Sequence, residues 1–215
     1  TCLVEAGPPT KSANQPNFII IYTDDMGYAD AGPFGDPLIN TPSIDSLADD
    51  GQVWTNFYAA ASVCTPSRGA LLTGKLPVRT GLYGDNISVF FPGSKSGIPH
   101  SEKTIAEVFQ DNRYATGMFG KWHLGDNEKF LPTNHGFDDF FGILYSNDMW
   151  PFHAEYPDSY PDLMLYDYDK PVEVLTDQSD LTMELTRKSI SFIEQNKNTP
   201  FFLYLAHPQP HVPLF

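Results

Sequence analysis

Short apolar runs, each followed by polar residues, recur along the chain. The run NFIIIYT (17–23) is continuous and rich in isoleucine, which is typical of a strand buried on both faces of a sheet. Three further runs predict strands: VWTNFYA (53–59), YATGMFG (114–120) and PFFLYLA (200–206).

Helix-boundary residues mark the segments between these strands. Thr41 as N-cap, Pro42 at the first helical position and Gly51 as C-cap predict a helix over TPSIDSLADDG. Further helices are predicted over residues 66–73, closed by Gly74, over 104–111, which is amphipathic, and over 181–195.

Two stretches carry neither pattern. Residues 1–16 hold three prolines and few apolar positions, and we interpret them as an N-terminal tail that precedes one catalytic domain over residues 17–215. Residues 145–180 mix prolines, aromatic residues and acids, which indicates an ordered but irregular insertion.

The alternation of strands and helices predicts an α/β fold with a largely parallel central sheet flanked by helices. Ligands of such sheets bind beyond the carboxyl ends of the strands. Six polar residues come just after predicted strands, which predicts a single site: Asp24, Asp25, Lys121, His123, His207 and His211.

Composition narrows the function classes. The chain has 13 Lys and Arg against 27 Asp and Glu, and its net charge of −14 argues against a nucleic-acid binder. The apolar runs are too short to span a bilayer. Residues 51–84 nevertheless contain no acid, and Arg68, Lys75 and Arg79 give this stretch a charge of +3. A positive island in an acidic protein suits a small anionic substrate group.

The two cysteines have different contexts. Cys2 lies in the tail, where it could pair with Cys64 or carry a lipid anchor after removal of an upstream segment. Cys64 precedes a predicted helix and Arg68 lies one turn further on, a setting that would lower the pKa of the thiol and favour a thiolate nucleophile. A buried structural cysteine is the alternative.

The other polar residues also allow two interpretations each. Asp24 and Asp25 suit a hard divalent cation such as calcium or magnesium, or a simple Asx turn. Lys121 and His123 would point to the same side of an extended backbone, where they could hold an anionic oxygen and transfer a proton. A surface lysine and an ordinary histidine are the alternative. His207 and His211 are either site residues or loop histidines.

Four motifs together resemble one family. CTPSRGALLTG (64–74) resembles the Cys-x-Pro-x-Arg signature of the type I sulfatases, and NFIIIYTDDMGYAD resembles their N-terminal metal strand. GKWHLG (120–125) and FFLYLAHPQPHVP (201–213) resemble the later family motifs in the same order. LPVRTGLYG and GFDDFFGI are closest to the arylsulfatase A branch, and the resemblance covers residues 17–213.

The resemblance implies a fold, a reaction and roles for particular residues. The fold would be alkaline-phosphatase/sulfatase-like. A maturation enzyme would read Cys64 with Pro66 and Arg68 and oxidise Cys64 to formylglycine, whose hydrate attacks sulfur with one hydroxyl and uses the second to expel sulfate. Calcium, rather than magnesium, would be held by Asp24, Asp25 and the modified residue 64.

The remaining catalytic roles follow in the same way. Arg68 would orient the modified side chain, while Lys121 and His123 would contact it and the sulfate oxygens. His211, which precedes Val212-Pro213 as in the family motif, would bind sulfate or assist the leaving group. Family sulfatases act mostly outside the cytoplasm, which implies a periplasmic, secreted or lysosomal location.

The resemblance also implies missing parts. The family adds an Asp-Asn pair and a lysine that cannot be assigned here, so we expect an N-terminal fragment that binds metal poorly, exposes an unpaired sheet edge and is inactive by itself. Two other functions stay open: a phosphonate or phosphate ester hydrolase of the same superfamily, and a non-catalytic binding protein. Five aromatic residues could stack on a sugar or pack in the core: Tyr145, Trp150, Phe152, Tyr156 and Tyr160.

Overall fold

The computed structural model describes residues 15–35, 38–84 and 88–215. Its strands are β1 (Phe18–Tyr22), β2 (Ala115–Lys121), β3 (Asp139–Ile143), β4 (Met164–Asp167), β5 (Lys170–Val174) and β6 (Phe201–Ala206). Its helices are α1 (Pro42–Asp50), α2 (Cys64–Thr73), α3 (Pro77–Thr80), α4 (Ile105–Asp111) and α5 (Leu181–Asn196). Cys2 and most of the predicted tail lie outside the described residues.

The strands form one sheet in the order β1-β6-β2-β3-β4-β5. The first four run parallel, while β4 and β5 form an antiparallel hairpin beside β3. The predicted α/β class with a largely parallel sheet is therefore confirmed. Because four parallel strands end at one edge of the sheet, the residues that follow them are brought together.

Apolar side chains cover both faces of the sheet. Along β6, Phe202 and Tyr204 pack on the face covered by α2 and α4, whereas Phe201, Leu203 and Leu205 pack on the face covered by α5. All six residues of β6 are buried. Helices on both faces make β6 and β2 the interior strands that their continuous apolar runs predict.

The prediction that NFIIIYT is buried on both faces is wrong. β1 forms as predicted, but it pairs only with β6 among the described residues, and Ile19 and Ile21 are 50% and 59% exposed. Burial of an apolar strand requires a neighbour on each side and cover on each face, and the described part of the chain supplies neither on the outer side of β1.

The strand predicted over VWTNFYA is also wrong. Residues 53–59 form turns and irregular backbone, and Trp54, Phe57 and Tyr58 are 63%, 74% and 80% exposed. The described sheet offers this segment no partner strand, and without one the alternating apolar pattern cannot form a ladder of hydrogen bonds.

The insertion over 145–180 is ordered but less irregular than predicted, because it contains the β4–β5 hairpin. β3 was not predicted at all. β5 is exposed throughout and contains Pro171, which suits an edge strand.

Candidate active site

Four chain segments meet beyond the carboxyl ends of the parallel strands. Asp24 and Asp25 follow β1, Lys121 is the last residue of β2, and His211 lies in the loop after β6. Cys64 is the first residue of α2, two residues earlier than the sequence predicts. A cavity of ≈ 360 Å³ opens here, and its lining includes Asp24, Asp25, Cys64, Ser67 and Arg68.

A buried ion cluster forms the floor of this site. Arg68 Nη2 lies 3.1 Å from Asp24 Oδ1, and Lys121 Nζ donates a hydrogen bond to Asp24 Oδ2. Burial by itself would raise the pKa of Asp24, but the charges and hydrogen bonds of Arg68 and Lys121 outweigh it and lower the pKa to about 2. The cluster therefore holds two buried cations and one carboxylate.

The Arg68 guanidinium is held from several sides. Its Nη1 donates a 2.6 Å hydrogen bond to the Lys121 carbonyl, and its guanidinium carbon lies 5.4 Å from the centre of the Tyr22 ring. The Tyr22 hydroxyl is 2.7 Å from Ser67 Oγ on the same turn of α2. These contacts fix the guanidinium before any ligand binds.

Cys64 lies against the ion cluster. Its Sγ is 3.2 Å from Lys121 Nζ and 3.6 Å from Asp24 Oδ1. Burial, together with the Asp24 charge, raises the pKa of the thiol despite the two cations. The predicted lowering of this pKa is therefore wrong, and the unmodified side chain is a protonated thiol rather than a thiolate nucleophile.

His123 has a strained backbone and a defined tautomer. Its φ of 59° lies in the left-handed region, which is uncommon outside glycine and often marks functional sites. Its Nε2 is 2.9 Å from the Phe90 carbonyl oxygen, which can only accept, so Nε2 carries the proton. Burial and the nearby Lys121 charge lower the pKa of the ring well below its usual range. The neutral ring therefore keeps an unprotonated Nδ1.

Thr65 ties His123 to two other segments. Its buried hydroxyl donates a 2.9 Å hydrogen bond to the His123 carbonyl and accepts a 3.0 Å hydrogen bond from the Phe90 amide. The Phe90 carbonyl in turn faces the His123 ring. One hydroxyl thus holds the backbone that carries His123 and the carbonyl that sets its tautomer. This role could not be predicted from the sequence, because Thr65 occupies the variable position between Cys64 and Pro66 in the Cys-x-Pro-x-Arg signature.

For the sulfate ester hydrolysis that the resemblance implies, we expect Thr65→Val to lower kcat about 10- to 100-fold with little change in KM, because a small displacement of a reacting group is enough for such a loss. Thr65→Ser, which keeps the hydroxyl, should restore kcat to within about threefold. Steady-state kinetics of the complete gene product would measure both variants. Wild-type kcat in Thr65→Val would contradict this role, and a mass check at residue 64 would exclude a difference in maturation.

His211 and Asp25 lie on the open side of the site. His211 Nε2 is 3.6 Å from Asp25 Oδ2, and the potential ligand atoms of Asp24, Cys64 and His211 lie within 4.8 Å of one another. Asp25 has a φ of 61° and a side chain that is 59% exposed. His207 is partly buried, which lowers its pKa, and it does not join this group. The structure thus places His211, the histidine chosen from the sequence, at the site.

The donor set fits a hard cation only in part. Asp24 and Asp25 offer carboxylate oxygens beside Cys64, as a calcium or magnesium site requires. Both Asp24 oxygens already bind cationic side chains, and calcium takes six to eight oxygen ligands. Asp24 and Asp25 alone therefore cannot supply a full coordination shell.

Ser146 is a site residue that sequence reasoning missed. Its buried Oγ accepts a 2.9 Å hydrogen bond from Lys121 Nζ. It lies three residues beyond the end of β3, so it follows a parallel strand like the other site residues. Recognition of DFFGI (139–143) as a strand would have pointed to it.

Comparisons with known proteins identify the family of this chain. A family profile described as Sulfatase matches residues 16–215. Over 95% of this chain, the sequence is 40% identical to bovine arylsulfatase A. Over 96% of this chain, it is 37% identical to pig N-acetylgalactosamine-6-sulfatase. The crystal structure of Ps i-CgsB in complex with k-i-k-neocarrahexaose aligns with a TM-score of 0.79 and 34% identity, over 94% of this chain and 46% of that one.

The site and fold therefore define a sulfatase-type domain, and the chain belongs to the sulfatase family. It spans 43% of the bovine enzyme and 42% of the pig enzyme. Among the described residues, no helix is long and apolar enough to cross a membrane.

Proposed function

We propose that the protein hydrolyses sulfate monoesters, of an aryl alcohol or a carbohydrate, at the site around residue 64. The observation that carries this proposal is the ion cluster beneath Cys64, where two buried cations face one carboxylate. A sulfate group would supply the missing negative charge at the point where the signature places the nucleophile. The family membership and the sulfatases named among the relatives support the same reaction.

The nucleophile would be formylglycine made from Cys64 by a maturation enzyme. The hydrate of this group would supply one hydroxyl that displaces the alcohol from sulfur and a second that loses its proton to expel sulfate and restore the aldehyde. Asp24 and Asp25 would hold a calcium ion, together with the modified residue 64 and with ligands from residues not described here. The ion would offset charge on the sulfuryl oxygens.

The chain's own residues have separable tasks in this proposal. Arg68 orients the modified side chain of residue 64, and Lys121, which Ser146 and Asp24 position, binds that side chain and the sulfuryl oxygens. The neutral His123 accepts a proton at Nδ1, because its Nε2 hydrogen is committed to the Phe90 carbonyl. His211, on the open side, protonates the leaving alcohol. We propose that the enzyme acts outside the cytoplasm.

We expect the complete gene product, produced with a formylglycine-generating enzyme, to prefer 4-nitrophenyl sulfate over an aryl phosphonate monoester by at least about tenfold in kcat/KM. Release of 4-nitrophenol measures both reactions. The reverse preference would assign a phosphonate ester hydrolase of the same superfamily. Absence of both reactions in fully matured, metal-loaded protein would favour a non-catalytic binding protein.

A further inference from the structure

Two loops leave the active site side by side. One begins at Phe90, whose carbonyl faces the His123 ring at 2.9 Å, and continues through Phe91. The other begins at Ser146, which binds Lys121 Nζ, and continues through the insertion. The loops meet again where the Phe91 ring stacks on the Tyr160 ring, with centroids 6.4 Å apart and planes 9° apart. The two loops therefore form a wall that is joined at this ring contact, and each loop also holds a residue that contacts His123 or Lys121.

Aromatic rings line this wall without interruption. His153 lies 5.4 Å from Tyr160 and 5.3 Å from Tyr156, measured between ring centroids, so four rings join in one surface. Phe91 and Tyr156 are 49% and 56% exposed. We call Phe91, His153, Tyr156 and Tyr160 the aromatic wall.

Exposure separates this wall from the hydrophobic core. Tyr145 and Trp150, two of the aromatic residues noted in the sequence, are only 6% and 5% exposed and pack in the core clusters. Phe91 and Tyr156 are instead half exposed, whereas His153 and Tyr160 are partly buried and Tyr160 also packs against the core. Aromatic surface left exposed in this way is typical of ligand recognition.

Polar groups accompany the rings. His153 Nδ1 accepts 3.1 Å hydrogen bonds from the amides of Glu155 and Tyr156, so the ring hydrogen is on Nε2, which lies 3.6 Å from Asp148 Oδ2. Asp148 is therefore an acid in contact with a wall ring, and the loop that carries Phe91 also holds Lys95. The wall thus combines apolar faces with hydrogen-bond acceptors and negative charge.

We propose that the aromatic wall binds the sugar ring that carries the scissile sulfate, and that it selects carbohydrate sulfates over simple aryl sulfates. This inference rests on the proposed function. A sugar presents a C–H face that stacks on aromatic rings and hydroxyls that donate to carboxylates.

The test compares two substrates in the complete, matured gene product: galactose 6-sulfate, which has a sugar ring, and 4-nitrophenyl sulfate, which has none. Phe91→Ala and Tyr156→Ala should each raise KM for galactose 6-sulfate about five- to tenfold with kcat within about twofold. The ratio of kcat/KM for galactose 6-sulfate to that for 4-nitrophenyl sulfate should fall correspondingly. Tyr168→Ala is the matched control, since Tyr168 is 50% exposed on the turn after β4 and lies outside both loops. This variant should leave KM and kcat unchanged for both substrates.

The outcomes separate the wall from the reaction. If the ratio of the two kcat/KM values is unchanged in Phe91→Ala and Tyr156→Ala, the aromatic wall does not bind the sugar. That result would leave the proposed sulfate hydrolysis intact. If neither substrate is hydrolysed, the proposed function fails. Saturation-transfer NMR of galactose with the same protein then tests separately whether the aromatic wall binds a sugar. Transfer to the sugar ring protons that is lost in Tyr156→Ala would support it, and absence of transfer in the unsubstituted protein would overturn it.

Discussion

Replacing Cys64 with serine is expected to lower steady-state hydrolysis of 4-nitrophenyl sulfate at least about 10³-fold. Serine places one hydroxyl beside Lys121 and Asp24, where Cys64 Sγ lies 3.2 Å and 3.6 Å from their nearest charged atoms. That hydroxyl could attack sulfur once, but it offers no second hydroxyl with which to expel sulfate. The serine variant should therefore stop after one turnover and retain one sulfate per chain.

Intact-protein mass spectrometry after incubation with substrate would detect the trapped sulfate. Cys64→Ala is the control, because it removes the nucleophile and should show neither turnover nor added mass. Turnover by the serine variant within about tenfold of the matured protein would contradict the account, since a single hydroxyl would then be sufficient.

Replacing Asp24 with asparagine is expected to lower the free energy of unfolding by about 3–5 kcal/mol. The substitution removes the carboxylate that lies between the Arg68 guanidinium and the Lys121 ammonium, which are 1% and 0% exposed. Two cations would then lie buried without this counter-charge. The loss is largest where no bound anion compensates, so added sulfate should recover part of it.

Asp25→Asn provides the matched control for Asp24→Asn. Asp25 is adjacent in sequence and offers the same carboxylate to a metal, but its side chain is 59% exposed and its neighbour is His211. Its substitution should change the free energy of unfolding by less than about 0.5 kcal/mol. Urea denaturation of the same metal-free polypeptide measures both variants. Equal effects of the two substitutions would mean that the buried ion cluster does not stabilise the fold.

The interior of the sheet could be predicted because its local pattern and its burial agree. β6 and β2 are apolar on both faces, and helices cover both faces, so the runs at 114–120 and 200–206 were recognised. The rule that ligands bind at the carboxyl ends of parallel strands then located Lys121, His123 and the His211 loop. The four sulfatase motifs pointed to the same residues.

The errors arose where tertiary neighbours decide the outcome. NFIIIYT and VWTNFYA have apolar patterns typical of buried strands, but cover and pairing for them depend on other parts of the chain. β3 is short and contains Gly142, and recognising it would have required knowledge of its pairing with β2. Ser146 was missed as a consequence.

The thiol of Cys64 shows why site chemistry is harder to predict than site location. The sequence reveals the helix start and Arg68, both of which lower a thiol pKa, but it does not reveal the depth of burial or the proximity of Asp24. Those two effects reverse the direction of the shift. Thr65 escaped notice for a similar reason, since its partners Phe90 and His123 are distant in sequence.

The measurement that tests the central claim most directly is the mass of the peptide that contains residue 64, from protein produced together with a formylglycine-generating enzyme. The account predicts an aldehyde or its hydrate at this position, with sulfate ester hydrolysis appearing in proportion to the converted fraction. An unmodified thiol, in cells that convert a control sulfatase, would contradict the account and would return the function to a binding protein or a thiol-based reaction.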